Sequence, residues 1–456
     1  MLNLLHIFRP APHKPRLPKD KIDPTYKKLR LQVFIGIFVG YTSFYLVRNN
    51  FSLAMPHLLQ EGFSKTELGI ILTATPVAYG IGKFLMAIIS DRSNPRYFMA
   101  TGLIFSATIN FFYTSHSILN SIIMMFTLMF LNGWVQAMGW PAGARVMTHW
   151  FSETERGTKM SLWSCSQNFG GGLISLIAVA GIFIFGSWHS IFYFPATFAL
   201  AAALLIILLV RDTPQSEGLP SIEEYHHEKN ICESACRPDS EREKELTAKE
   251  ILFKYVLVNK YLWYLAFANI FVYFIRYGIG NWIPTYLKEV KDFSHEASKI
   301  AILFYEYAAI PGVLLCGWLS DKLFSGRRAP MCILYMILVT LALLLYRFSP
   351  VGQPLYCTIA LACIGFFIYG PLVLIGISAV DIAPKKAAGT AGGLTGITGY
   401  FLGTVGAGAG TGLLVDSFGW DFMLGILMAS SVLAIIFLAL TWKIGRVKKT
   451  VLSQSS

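Results

Sequence analysis

Apolar stretches of about 20 residues recur along the whole chain between short polar breaks, and each is long enough for a helix to cross a hydrocarbon layer ~30 Å thick. Twelve spans are expected, near 31–55, 66–90, 97–114, 120–150, 158–185, 190–210, 258–284, 297–319, 329–348, 353–380, 387–415 and 419–442. An even number of crossings brings both termini to one side. The longest polar interruption follows the sixth span. The chain therefore divides into an N-terminal segment 1–30, a six-helix half 31–210, a linker 211–257, a second six-helix half 258–442 and a tail 443–456. The expected fold class is an all-α membrane protein.

Composition and charge give this pattern an orientation. Hydrophobic residues make up 54% of the chain and charged residues only 14%, against roughly 25% charged in soluble domains. The termini and the loops at 91–96, 153–159, 211–257, 320–328 and 384–386 hold almost all the loop Lys and Arg, which marks them as cytoplasmic. On the opposite side only 285–296, with Lys288 and Lys291, is an exception. The net charge of +12 is thus an orientation signal rather than a nucleic-acid footprint. The lipid bilayer is the expected surface, and no nucleic acid is expected as a partner. The first 30 residues lack a signal-peptide core, so the first span itself directs insertion. The mixed-charge linker reads as a flexible tether with an amphipathic piece. Of seven cysteines, five sit in or beside spans as small packing residues, and Cys232 and Cys236 share the linker without zinc-site partners.

Two arginines lie inside spans: Arg48 in FYLVRNN and, 228 residues later, Arg276 in YFIRYG. A guanidinium at membrane depth is costly, roughly 2.5–3.5 kcal/mol on insertion scales, so it normally lines a polar cavity. Other landmarks repeat at similar offsets. Ser90-Asp91-Arg92 matches Ser320-Asp321-Lys322, and Arg156-Gly157-Thr158 matches Ala388-Gly389-Thr390. These offsets imply two parallel, pseudo-symmetric repeats with a binding site between them. Guanidinium forks match phosphate oxygens bidentately, so the expected cargo is phosphorylated.

Further polar blocks carry a family resemblance: YLVRNNFSLAMP (45–56), SDRSNPR (90–96), MGWPAGARVMTHWFSETERGTKMS (138–161), RDTPQSEGLPSIEEY (211–225), LFYEYAAIPGVLLCGWLSDK (303–322) and PKKAAGTAGGLTG (384–396). The chain resembles the organophosphate:phosphate antiporters of the major facilitator superfamily, the group of bacterial glycerol-3-phosphate and hexose-phosphate transporters. The resemblance implies the major facilitator fold in a bacterial inner membrane. It makes Arg48 and Arg276 the phosphate clamp and sets Glu306 beside it. Lys83, one helical turn past Tyr79, is implied near the substrate path, and Tyr41, Tyr45, Tyr79, Tyr273, Tyr369 and Tyr400 match cavity positions. Asp91, Arg92 and Asp321 are implied as gate elements of the cytoplasmic loops. Arg145 and His149, four residues apart, join that gate.

Three positions depart from the glycerol-3-phosphate pattern. Asn49 stands where a lysine is usual, Asn281 where an aspartate is usual and Gln167 where a histidine is usual. Losing lysine and aspartate together removes an ion pair without leaving an unpaired charge, and Gln167 cannot titrate near neutral pH. Uncharged donor-acceptor groups suit a cargo with several hydroxyls. The expectation is therefore import of a hexose 6-phosphate against inorganic phosphate, by a protein acting as a monomer. Three alternatives stay open: glycerol 3-phosphate as the organic cargo, a sugar-phosphate receptor that does not transport, and a proton-coupled drug or sugar porter. No cofactor is expected, the chain having no GxxxxGK[ST] loop, and no nucleophile, base or metal-ligand constellation suggests an enzyme.

Overall fold

The computed structural model describes residues 8–119, 121–229, 253, 256–324, 327–382 and 388–442, and among them there is no strand. Nine helical stretches among the described residues are long and apolar enough to cross a membrane. One of these, Ala391–Ala439, runs for 49 residues, about 73 Å at 1.5 Å per residue and far longer than one crossing needs. It is broken at Gly419, whose φ of 81° lies in the left-handed region that a side chain disfavours. That break and the helices Lys65–Asp91 and Pro95–Phe112 fill the places where the sequence calls for further crossings.

Local signals set the helix ends. Asn94 accepts from the Arg96 amide at 3.1 Å and is followed by Pro95, so the chain turns sharply into Pro95–Phe112. Glu155 accepts from the Ser152 amide at 3.2 Å at the start of Glu153–Phe185 and also takes the guanidinium of Arg30.

The chain forms two compact units: Met1–Asn50 with Ala78–Glu243, and Phe51–Val77 with Lys244–Ser456. In the first, the opening of the linker is packed rather than loose. Leu219, Ile222 and Tyr225, three residues apart, are all buried. The Tyr225 ring stacks on Tyr26 at 4.2 Å, and its hydroxyl donates to Asp23 at 2.6 Å. The amides of Lys14 and Leu17 donate to the carbonyls of Gln215 and Gly218 at 3.0 and 2.8 Å. The charged surroundings of these apolar residues hid their spacing. Cys232 and Cys236 lie outside the described residues, whereas Cys165, Cys316, Cys332 and Cys357 are buried and Cys363 is half-buried.

In the second unit, residues 51–77 pack against the later helices. Lys65 pairs with Glu289 at 3.1 Å, and Asp416 accepts from the Thr66 amide and hydroxyl at 2.7 and 2.6 Å. Lys291, one of the two exceptions to the loop-charge pattern, is a structural cation. Its Nζ donates to the carbonyls of Arg347 and Ser349 at 3.0 and 2.6 Å, closing the end of Arg328–Phe348. Burial pushes that ammonium below the ordinary lysine range.

Candidate functional site

Arg48 sits where the first long helix stops. Lys19–Leu46 ends at a Val47 cap with φ −116° and ψ 15°, and a new helix begins at Asn50. The half-buried guanidinium lies over two rings, 4.5 Å from the Tyr79 centroid and 5.3 Å from that of Tyr45. Tyr45 donates to Gln167 at 3.2 Å and meets the Tyr41 ring edge-on at 5.7 Å. Gly170 lets this happen: a Cβ there would clash with the Thr42 carbonyl oxygen, so only glycine brings Glu153–Phe185 close enough for Gln167 to reach Tyr45.

Lys83 lies over a different ring, with Nζ 4.9 Å from the Trp140 centroid. Aromatic contacts bridge the two cations. Trp140 neighbours Trp163 at 6.4 Å, Trp163 neighbours Tyr41 at 4.9 Å, and the Trp163 indole N–H donates to the Ile37 carbonyl at 3.2 Å. Sequence reading missed both tryptophans, because nothing in their spacing sets them apart from packing aromatics.

Arg276 has a different backbone. It lies inside the unbroken helix Lys260–Val290 and is 7% exposed. Its guanidinium is 4.3 Å from the Tyr369 centroid and 4.8 Å from that of Tyr277. Tyr369 donates to Glu306 at 2.7 Å, so the expected carboxylate is linked to the arginine's platform. Tyr273 and Tyr400 meet edge-on at 5.2 Å, and Tyr273 neighbours Tyr277 at 5.8 Å. Tyr305 and Tyr277 were missed, although each is the chain neighbour of a predicted site residue. Gly365 brings the Tyr305 helix in, since a Cβ there would clash with the Tyr305 carbonyl oxygen.

In each unit, then, an arginine is laid on tyrosine faces within a membrane-length apolar stretch, at a helix break for Arg48 and inside a helix for Arg276. A guanidinium engages rings by its face and oxyanions by its in-plane N–H edge, so this stacking is compatible with bidentate phosphate binding. Asn49 and Asn281 are half-buried, next to the first arginine and five residues after the second.

The predicted gate residues have local partners. Arg145 pairs with Asp212 at 3.0 Å and donates to the Ser90 carbonyl at 3.3 Å, while Asp212 also accepts from the Ala11 amide at 2.9 Å. Asp321 pairs with Arg328 at 2.6 Å, and Arg92 and His149 are exposed. The side chain of Asp91 lies outside the described residues.

The family description "Major Facilitator Superfamily" matches residues 37–407. The chain is 54% identical over 446 residues to a glycerol-3-phosphate transporter of Bacillus subtilis, covering 97% of this chain and 99% of that one. It is 39% identical over 444 residues to a probable hexose phosphate transport protein of Chlamydia pneumoniae, covering 95% and 96%. Among solved structures, an inward-facing bacterial homologue of the lysosomal transporter Spinster shares the fold with a TM-score of 0.68 at 16% identity, covering 91% of this chain and 95% of the other.

Proposed function

Because the chain belongs to the Major Facilitator Superfamily, and within it to the organophosphate:phosphate antiporters, we propose that it imports glycerol 3-phosphate in exchange for inorganic phosphate. The protein is a multi-pass membrane transporter and not an enzyme. The observation that carries the chemistry is the pair of arginines, each seated on tyrosine rings within a membrane-length apolar stretch. The expected preference for a hexose phosphate yields to glycerol 3-phosphate on the strength of 54% identity along nearly the whole chain.

Exchange has a physical basis. Two arginines left without an anion are costly to enclose in a low-dielectric interior. A phosphate dianion neutralises them and lets the halves rock around it, so each crossing carries a phosphate group. Both termini are assigned to the cytoplasm from the loop charges, and the protein acts as a monomer.

Hexose 6-phosphate is the second reading, favoured by the uncharged Asn49, Asn281 and Gln167. Proteoliposomes loaded with labelled phosphate separate the two. Efflux driven by external glycerol 3-phosphate at lower concentration than glucose 6-phosphate supports the first reading, and the reverse order supports the second. Efflux with neither, despite phosphate binding by the purified protein, would make it a receptor.

A further inference from the structure

The break that carries Arg48 is held by buried amide side chains that nothing above assigns to the site. Where Lys19–Leu46 stops, the regular bonding lapses: the amides of Val47 and Arg48 reach back only three residues, to the carbonyls of Phe44 and Tyr45, at 3.4 Å each. The Val47 carbonyl instead accepts from both Asn110 and Asn132, each at 2.9 Å. The Phe44 carbonyl accepts from Gln136 at 2.9 Å. Gln136 also donates to Ser106, whose hydroxyl donates to the Asn132 side-chain oxygen. All four side chains are at most 3% exposed. Past the break, Asn50 donates to the Ile191 carbonyl at 2.7 Å.

Carbonyls released from a helix in an apolar interior need donors, and an interrupted helix at membrane depth persists only where protein supplies them. Three amide side chains contributed by Pro95–Phe112 and Ile122–Gln136, linked through Ser106, converge here on the two carbonyls of Phe44 and Val47 before Arg48. Arg276 lies instead inside an unbroken helix.

We propose that Asn110, Asn132 and Gln136 are positioning residues for Arg48, an amide clasp that fixes the break and thereby the direction in which the guanidinium meets phosphate. This rests on the reading of Arg48 as a phosphate ligand. Two donors share the Val47 carbonyl, so each compensates in part for loss of the other, and removing both frees the turn.

The test is phosphate binding and exchange by the full-length protein for Asn110→Ala, Asn132→Ala and the double variant, each with Arg48 or with Arg48→Lys. With Arg48 present, the single variants raise the phosphate KM roughly 3-fold and the double variant about 10-fold or more, with Vmax nearly unchanged. In the Arg48→Lys background the same changes have no further effect on phosphate Kd, because the group they orient is gone. A role in packing alone would lower the melting temperature and move Kd equally in both backgrounds, and that result overturns the proposal. So does a double variant with wild-type KM. If the double variant does not fold, the single variants decide by the same comparison. Wild-type phosphate binding by Arg48→Lys itself would remove the phosphate reading and the clasp with it, whereas loss of binding there beside unaffected clasp variants would remove only the clasp.

Discussion

The hydroxyl of Tyr305 donates to the backbone carbonyl of Arg276 at 3.1 Å, from a ring that is 1% exposed. A helical carbonyl has a second lone pair beyond its helix bond, so this contact ties the turn carrying the arginine to the neighbouring helix His295–Phe324. Tyr305→Phe keeps the ring and removes the donor. It is expected to raise the phosphate KM about 5-fold, the equivalent of ~1 kcal/mol for one hydrogen bond, with insertion intact. An unchanged KM would show that the turn is held by packing alone.

The arginines themselves admit no substitute. Arg48→Lys and Arg276→Lys each keep a positive charge but lose the bidentate fork and the broad stacking face. Each is expected to reduce exchange to a few per cent or less, roughly the loss of 2–3 kcal/mol that charge-assisted hydrogen bonds contribute. Normal amounts of both variants in the membrane should accompany that loss. Flux near wild type in either would contradict the clamp.

Arg145 and Asp212 form a pair whose side chains are 10% and 1% exposed. Breaking a buried pair from one side typically costs about 3–5 kcal/mol, because the remaining charge stays buried. Asp212→Ala is therefore expected to lower the melting temperature of the purified protein by several degrees, while Asp321→Ala, whose carboxylate is exposed, should change it little. Equal shifts would mean that burial does not distinguish the two pairs.

Much of this was legible in the residues. Span length and apolar composition pointed to the helical membrane fold, because the bilayer imposes a crossing length that composition reports directly. Arg48, Arg276 and Glu306 stood out as charges where charge is costly. The residues that hold them did not. Tyr305, Trp140, Asn110, Asn132 and Gln136 are ordinary in type, and their importance lies in meeting a particular carbonyl or ring across the fold. The helix break at Val47 was equally invisible, since no proline or glycine marks it and its cause is the set of amides on other helices. The packed start of the linker was hidden because three apolar residues among many charges leave a polar average.

Selectivity should depend on the uncharged trio. If Asn49 and Asn281 replace an ion pair, Asn49→Lys with Asn281→Asp is expected to retain more exchange than either single change, each of which adds an unmatched charge near an arginine. Adding Gln167→His should move preference further towards glycerol 3-phosphate and bring pH dependence near ~6.5, where imidazole titrates. Counterflow of both cargoes across pH 5.5 to 8 measures this. Strictly additive losses would mean that the two asparagines are not coupled.

In strict exchange a phosphate group accompanies every crossing. This is measured as uptake of labelled glycerol 3-phosphate into proteoliposomes that are empty or loaded with inorganic phosphate, with and without an uncoupler. Rapid uptake is expected only into phosphate-loaded vesicles, unaffected by the uncoupler. Equal uptake into empty vesicles, or uptake abolished by the uncoupler, would contradict it and make Glu306 the first group to examine as a proton carrier.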